Sequence, residues 1–134
     1  VTDAGDVLFG RAEMERAFTA LGERLACRGV VADDLALPYW WLNEQASIYI
    51  SGKDDPGKRR VFDHPGLRVS AASPPHIFAM KALAARIRDV DDLRVLADII
   101  GVKSAGEALQ ICEDFYPDEP LPQRSAAVLQ ELFG

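Results

Sequence analysis

From Ser73 onward the chain is written as one helix after another, each with its own start and stop signal. Ser73 is a good N-cap, and Pro74 fits the first helical position, where no N–H is needed. The helix that follows is expected to carry Ile77, Met80, Ala84 and Ile87 on its core face. Asp89 stands where a cap for the next helix belongs, with Leu93, Leu96, Ala97 and Ile100 as its stripe and Gly101 as its stop. Ser104 and Glu107 have capping-box spacing before Ala108, Leu109, Cys112 and Phe115. A loop with three prolines, "YPDEPLPQ", leads to a last helix over 123–133, with Ala126, Leu129 and Leu132 or Phe133 turned inward. Successive helices with short connections predict a helical bundle over residues 73–134.

The first half is less regular. Between Gly10 and about Arg28, Met14, Ala17, Phe18, Leu21 and Leu25 fall on one helix face. Glu13 and Glu15 near its start and Arg28 near its end suit the helix dipole, and Gly29 terminates it. Val30-Val31 begins like a strand and then loses its pattern. After Pro38 a short helix over 39–46 and a short strand over 47–50 are expected, with the adjacent Trp40 and Trp41 pointing differently. Residues 51–60 are a polar turn segment with the one concentrated basic patch, Lys53, Lys58, Arg59 and Arg60. That patch suits a solvated loop or a phosphate contact. "RRVFDHPGLRVSAAS" reads as a hairpin: Val61 and Phe62 open one strand, and Leu67, Val69 and Ala71 alternate in the other. The expected fold class is therefore α+β, mostly helical, with a small antiparallel sheet. It forms a single domain, an α/β part over 10–72 and a helical part over 73–134.

Composition narrows the function classes. Hydrophobic residues make up 49% and charged residues 27%, which a disordered chain does not have. A formal net charge of −6 argues against duplex DNA as the main partner, because phosphate neutralisation needs a basic face. It leaves a nucleotide open, since one lysine with a metal ion binds phosphates on an acidic protein. Cys27 and Cys112 fall among apolar neighbours and are expected to be buried free thiols; with only His64 and His76 beside them, they supply no obvious zinc set. No apolar run approaches the length of a membrane span and no signal segment opens the chain, so a cytoplasmic protein without a membrane partner is expected.

Chemistry concentrates in "MKALAARIRDVDDL". Lys81 lies in the apolar row, and Asp89, Asp91 and Asp92 crowd the next turn. On one reading Lys81 runs its methylenes along the core edge, Asp89 caps, and Asp91 and Asp92 complement a helix N-terminus. On the other, a tight turn at Arg88-Asp89 brings Lys81 to Asp92, and the pair serves nucleotide phosphates and a metal ion. Ser73 before Pro74 is a cap rather than a nucleophile, and His64 in "DHPG" is a turn residue, so a hydrolase triad has little support.

"FGRAEMERAFTALGERLACRGVVAD", "WWLNEQAS", the stretch from Arg60 to Val102 and "EALQICEDFYPDEPL" resemble a bacterial branch of the nucleotidyltransferase-like superfamily, distantly related to the AbiEii toxins of toxin–antitoxin systems. The Ser-Pro-x-x-hydrophobic-x-x-Met-Lys run ending at Lys81 and the Arg-Asp-x-Asp-Asp-hydrophobic run from Arg88 are its most specific parts. The resemblance implies a truncated nucleotidyltransferase-like fold in which Lys81 contacts nucleotide and Asp89 or Asp92 supports the site. It also implies Mg and an NTP as cofactors of an active form. The departure is as informative. Such enzymes rest on a Gly-Gly or Gly-Ser turn followed by an Asp-x-Asp pair that holds two metal ions. Here Val30-Val31-Ala32-Asp33 runs straight into Asp34-Leu35, and the one Asp-x-Asp, Asp89-Val90-Asp91, lies at a helix start without the glycine turn. No metal ligand is expected to replace the pair. Three functions follow. The chain is a nucleotidyltransferase-like protein with a degenerate or missing metal site, which binds nucleotide weakly or acts through protein contacts, as a homodimer or with an operon partner. Alternatively, it is an active minimal nucleotidyltransferase of toxin–antitoxin type, or a non-enzymatic interaction module.

Overall fold

A computed structural model of the chain describes residues 11–23, 35–36 and 46–134. The fold is α+β and mostly helical. Among the described residues it has five α-helices and one two-stranded antiparallel sheet. The chain divides into two compact units. The described part of one comprises residues 11–23, 35–36 and 59–71; the other comprises 46–58 and 72–134. The expected Val30-Val31 strand, residues 39–45 of the helix expected over 39–46, Trp40, Trp41, Cys27, the Arg28-Gly29 helix end and residues 32–34 lie outside the described residues.

The first unit holds α1 (Arg11–Glu23) and a hairpin of β1 (Arg59–His64) and β2 (Leu67–Ala71). Ala17 and Leu21 on the expected face of α1 are buried, with Met14, Phe18 and Leu67 packed around them. The Phe18 and Phe62 rings meet at 5.7 Å. β2 alternates as read, with Leu67, Val69 and Ala71 half-buried and Arg68 and Ser70 exposed. β1 starts two residues earlier than Val61, because Arg59 pairs with Ala71 and Arg60 with Ser70. Half of the basic patch is therefore strand rather than loop. The register slips between Arg60 and Phe62, which leaves Val61 as the extra residue and 41% exposed.

The second unit packs α2 (Pro74–Ala84), α3 (Val90–Ile100), α4 (Ala105–Phe115) and α5 (Gln123–Phe133) around one core. That core is Phe78, Ala82, Leu93, Ala97, Ala108, Cys112 and Leu129. α3 buries Leu93 and Ala97 of its expected stripe and packs Leu96 and Ile100 on the core, whereas α5 buries Leu129 and, in place of Ala126, Ser125, whose hydroxyl donates to Leu83 O. α2 departs from its expected stripe. It packs against all three of the other helices, so it is apolar nearly all round and its periodicity is ambiguous. Its buried residues are His76, Phe78, Ala79 and Ala82 instead of Ile77, Met80 and Ala84, and it ends sooner than expected. Ala85 takes a left-handed conformation (φ 47°, ψ 43°), and Ile87, now in a 3-10 turn (Ile87–Asp89), is 90% exposed. Leu109 also departs from the expected core face of α4, at 37% exposure. The expected strand over 47–50 is a 3-10 turn (Ser47–Tyr49): Tyr49 N–H bonds Ala46 O at 3.0 Å, and Tyr49 O accepts from the Tyr116 hydroxyl rather than from a strand.

The caps follow local chemistry. Ser73 Oγ accepts from His76 N–H at 3.3 Å, and Gly101 closes α3 at φ 88°. Ser104 Oγ accepts from Glu107 N–H at 3.2 Å, while Glu107 reaches back to Lys103 N–H at 2.7 Å, one residue before the cap. Ser104→Ala therefore lowers stability by about 1 kcal/mol, read as a shift of the urea midpoint.

Candidate functional site

Lys81 leaves the last turn of α2 and meets two of the aspartates. Its Nζ is 2.9 Å from Asp89 Oδ1 and 2.8 Å from Asp92 Oδ2. The turn back through Ala85 makes this geometry: Arg86 is extended, the 3-10 turn reverses the chain, and Asp89 arrives under the end of α2. Asp89 occupies the N-cap position of α3 but makes no capping bond. Arg86 takes the side chain instead, with Nε at 2.6 Å from Oδ2 and Nη2 at 3.1 Å from Oδ1. Asp89 is 1% exposed, so its carboxylate is enclosed by two cations. Asp91 points away, with its side chain 91% exposed and paired to Arg94 at 3.2 Å. The structure thus brings Lys81, Asp89 and Asp92 together and leaves Asp91 out.

The electrostatics follow from this arrangement. Burial alone raises the Asp89 pKa, but Arg86 and Lys81 outweigh it and hold the carboxyl below its ordinary value. Burial alone lowers Lys81, but Asp92 and Asp89 outweigh it and hold the ammonium above its ordinary value. Among the described residues, no three His, Cys, Asp or Glu side chains converge to hold a metal ion.

A second cluster escaped the sequence reading. His76, 6% exposed, lies in the first turn of α2 with its ring stacked on Phe115 at 4.7 Å. Ser51 N–H donates to its Nε2 at 3.2 Å, which leaves Nδ1 as the protonated nitrogen, 3.1 Å from Asp55 Oδ2. Asp55, also 6% exposed, accepts from Ser73 N–H at 2.9 Å. Burial raises the Asp55 pKa, and the Ser73 and His76 bonds outweigh that and hold it below its ordinary value. The Ser51 hydroxyl donates to Phe115 O, away from the imidazole. Serine, histidine and aspartate meet here without a nucleophile: the serine contributes its amide and the cluster fastens residues 46–58 to the helices. Gly57 belongs to the same join, since a Cβ there would stand 2.9 Å from Ser73 Cβ. The signals were Asp55 inside a turn and His76 in register with Ala79 and Ala82, small residues that mark the close-packed face.

The other expected groups are placed simply. His64, expected as a turn residue, is the last residue of β1, paired with Leu67, and its Nδ1 accepts from Gly66 N–H in the turn at 3.4 Å. Lys53 and Lys58 are exposed. Cys112 is a buried free thiol whose pKa burial pushes up to about 11, which leaves it unreactive as a thiolate. No helix of the described residues is long and apolar enough to cross a membrane. Comparison with known protein families, with curated proteins and with solved structures returns no match for this chain.

Proposed function

We propose that the chain is a nucleotidyltransferase-like protein with no working metal site, and that it acts through protein contacts rather than catalysis. The observation that carries this reading is the saturation of the Lys81 cluster. Both Asp89 oxygens accept from cations at 1% exposure, and Asp92 is drawn onto Lys81. A divalent ion needs carboxylate oxygens turned to an open site, and Asp89 offers none. Asp91, on an exposed face, does not complete a pair with it. A nucleotide phosphate has to displace Asp92 from an ammonium it already neutralises, so residual nucleotide binding is weak. The same geometry disfavours an active minimal toxin built on Asp89, Asp91 or Asp92.

Incubating the protein with each labelled NTP, magnesium or manganese, and bulk tRNA is the test. No nucleotide transfer is expected, and calorimetry is expected to detect no magnesium-dependent NTP binding. Transfer that Lys81→Ala and Asp92→Ala both abolish overturns the reading.

A further inference from the structure

Two concavities on the helical unit meet at the loop between α4 and α5. One, about 460 Å³, has Leu83, Leu109 and Leu121 among its walls, together with the exposed carboxylates of Glu113, Asp118 and Glu119. The other, about 340 Å³, shares the ridge from Tyr116 to Glu119 and runs on to Ile48 and Ile50, which are 79% and 57% exposed. Among the described residues, Lys53 is the one cation lining either. The ridge is stiff. Pro117, Pro120 and Pro122 restrict it, Glu119 N–H bonds Tyr116 O at 3.3 Å, and the Tyr116 and Ser51 hydroxyls tie its base to the backbone at Tyr49 and Phe115. A preformed surface loses little conformational entropy when it is covered.

Leucine walls beside bare isoleucines favour an apolar cover. The carboxylates between them exclude most covers: an uncharged one leaves them desolvated and unpaired, and an acidic one repels them. A net charge of −6 also weighs against a second copy, whose one concentrated basic patch includes Lys53 of this same surface. We propose that this surface docks a basic amphipathic segment of another protein. Its apolar side chains enter the two concavities, and its Lys or Arg residues meet Asp118 and Glu119 on the ridge. The partner class rests on the reading above that the chain works through protein contacts.

The probes are two short amphipathic helical peptides of equal length and apolar content, one built from Leu and Lys and one from Leu and Glu. Each is titrated into the full chain and its footprint is mapped by amide exchange. Two triple variants remove the same charge, Glu113→Gln/Asp118→Asn/Glu119→Gln on the ridge and Asp54→Asn/Asp91→Asn/Asp98→Asn elsewhere; both leave the thermal midpoint near wild type. The Leu/Lys peptide is expected to bind saturably, protect the Tyr116–Leu121 loop, and lose affinity by about ten-fold in the ridge variant and by less than about two-fold in the other. Equal losses in the two variants, equal binding of the Leu/Glu peptide, a footprint elsewhere, or no saturable binding overturns the site. The nucleotide assays decide the parent reading separately, because no step of them involves the ridge.

Discussion

Asp55→Ala lowers the stability of the protein by about 3 kcal/mol, a large share of what a domain of this size holds in reserve. The loss comes from what the substitution strands rather than from the carboxylate itself. Ser73 N–H and the His76 Nδ1–H both point at Asp55 Oδ2, at 2.9 and 3.1 Å. Both residues are at most 6% exposed. Each buried N–H left without a partner costs about 1–3 kcal/mol, and the imidazole cannot escape by changing tautomer, because Ser51 N–H already occupies Nε2. Asp55→Asn keeps the volume, and its one carbonyl oxygen can take the place of Oδ2 and accept from both donors, so it loses only the charge and recovers more than half the loss. Urea unfolding of the three proteins measures this directly. A loss below about 1 kcal/mol in the alanine variant means the join to residues 46–58 is not closed as described.

Asp89→Ala costs about 2 kcal/mol, less than the removal of a fully buried ion-pair member, because the stranded cations have elsewhere to go. Lys81 keeps Asp92, and Arg86 is 40% exposed in its side chain. Asp91→Ala, two residues along and bound only to exposed Arg94, stays within about 0.5 kcal/mol of wild type. The contrast between the two alanines separates an enclosed carboxylate from a solvated one. The pH dependence carries the same information. Asp55 and Asp89 have folded pKa values below their unfolded ones, near 4. Their stabilisation is complete above the unfolded value and is lost as pH falls through the folded values. Lys81 runs the other way: its folded value is raised, so its contribution is complete below the ordinary lysine value and is lost as pH rises through the folded one. Stability should therefore fall at both ends. Asp55→Asn and Asp89→Ala each flatten the acid limb, and Lys81→Met removes the lysine's share of the alkaline one, to which the buried Cys112 thiol also contributes.

What could be read from the residues alone divides by the range of the forces involved. Caps are settled within four residues, so Ser73, Ser104 and Gly101 were legible. α3, which buries one side, showed its stripe for the same reason, whereas in α5 a buried serine bonded to Leu83 O stands beside Leu129 where an alanine was expected. The meeting of Lys81 with Asp92 followed from the expected turn between two helices, but the enclosure of Asp89 did not. Arg86 reaches Asp89 because the chain leaves the helix at Ala85 in a left-handed conformation, which nothing about an alanine announces. The central helix α2 misled because every side of it is apolar. Residues 51–58 read as the polar turn segment they are, but the placement of 46–58 was illegible because the bonds that fix it are not local. Ser51 finds partners 25 and 64 residues away, and Tyr49 one 67 residues away. A short segment held by single side-chain contacts to distant backbone has no period to detect.

That same arrangement dictates an order of assembly. As the chain leaves the ribosome, residues 46–58 emerge with nothing to hold. His76 follows after the hairpin, in the first turn of α2, but Phe115 and Tyr116 come only after the hairpin and three helices have been made. The strap must wait, uncommitted, while sequence-near helix contacts form first, because closing a long loop costs entropy before it gains a contact. Closing the strap then joins an early piece of chain to a late one.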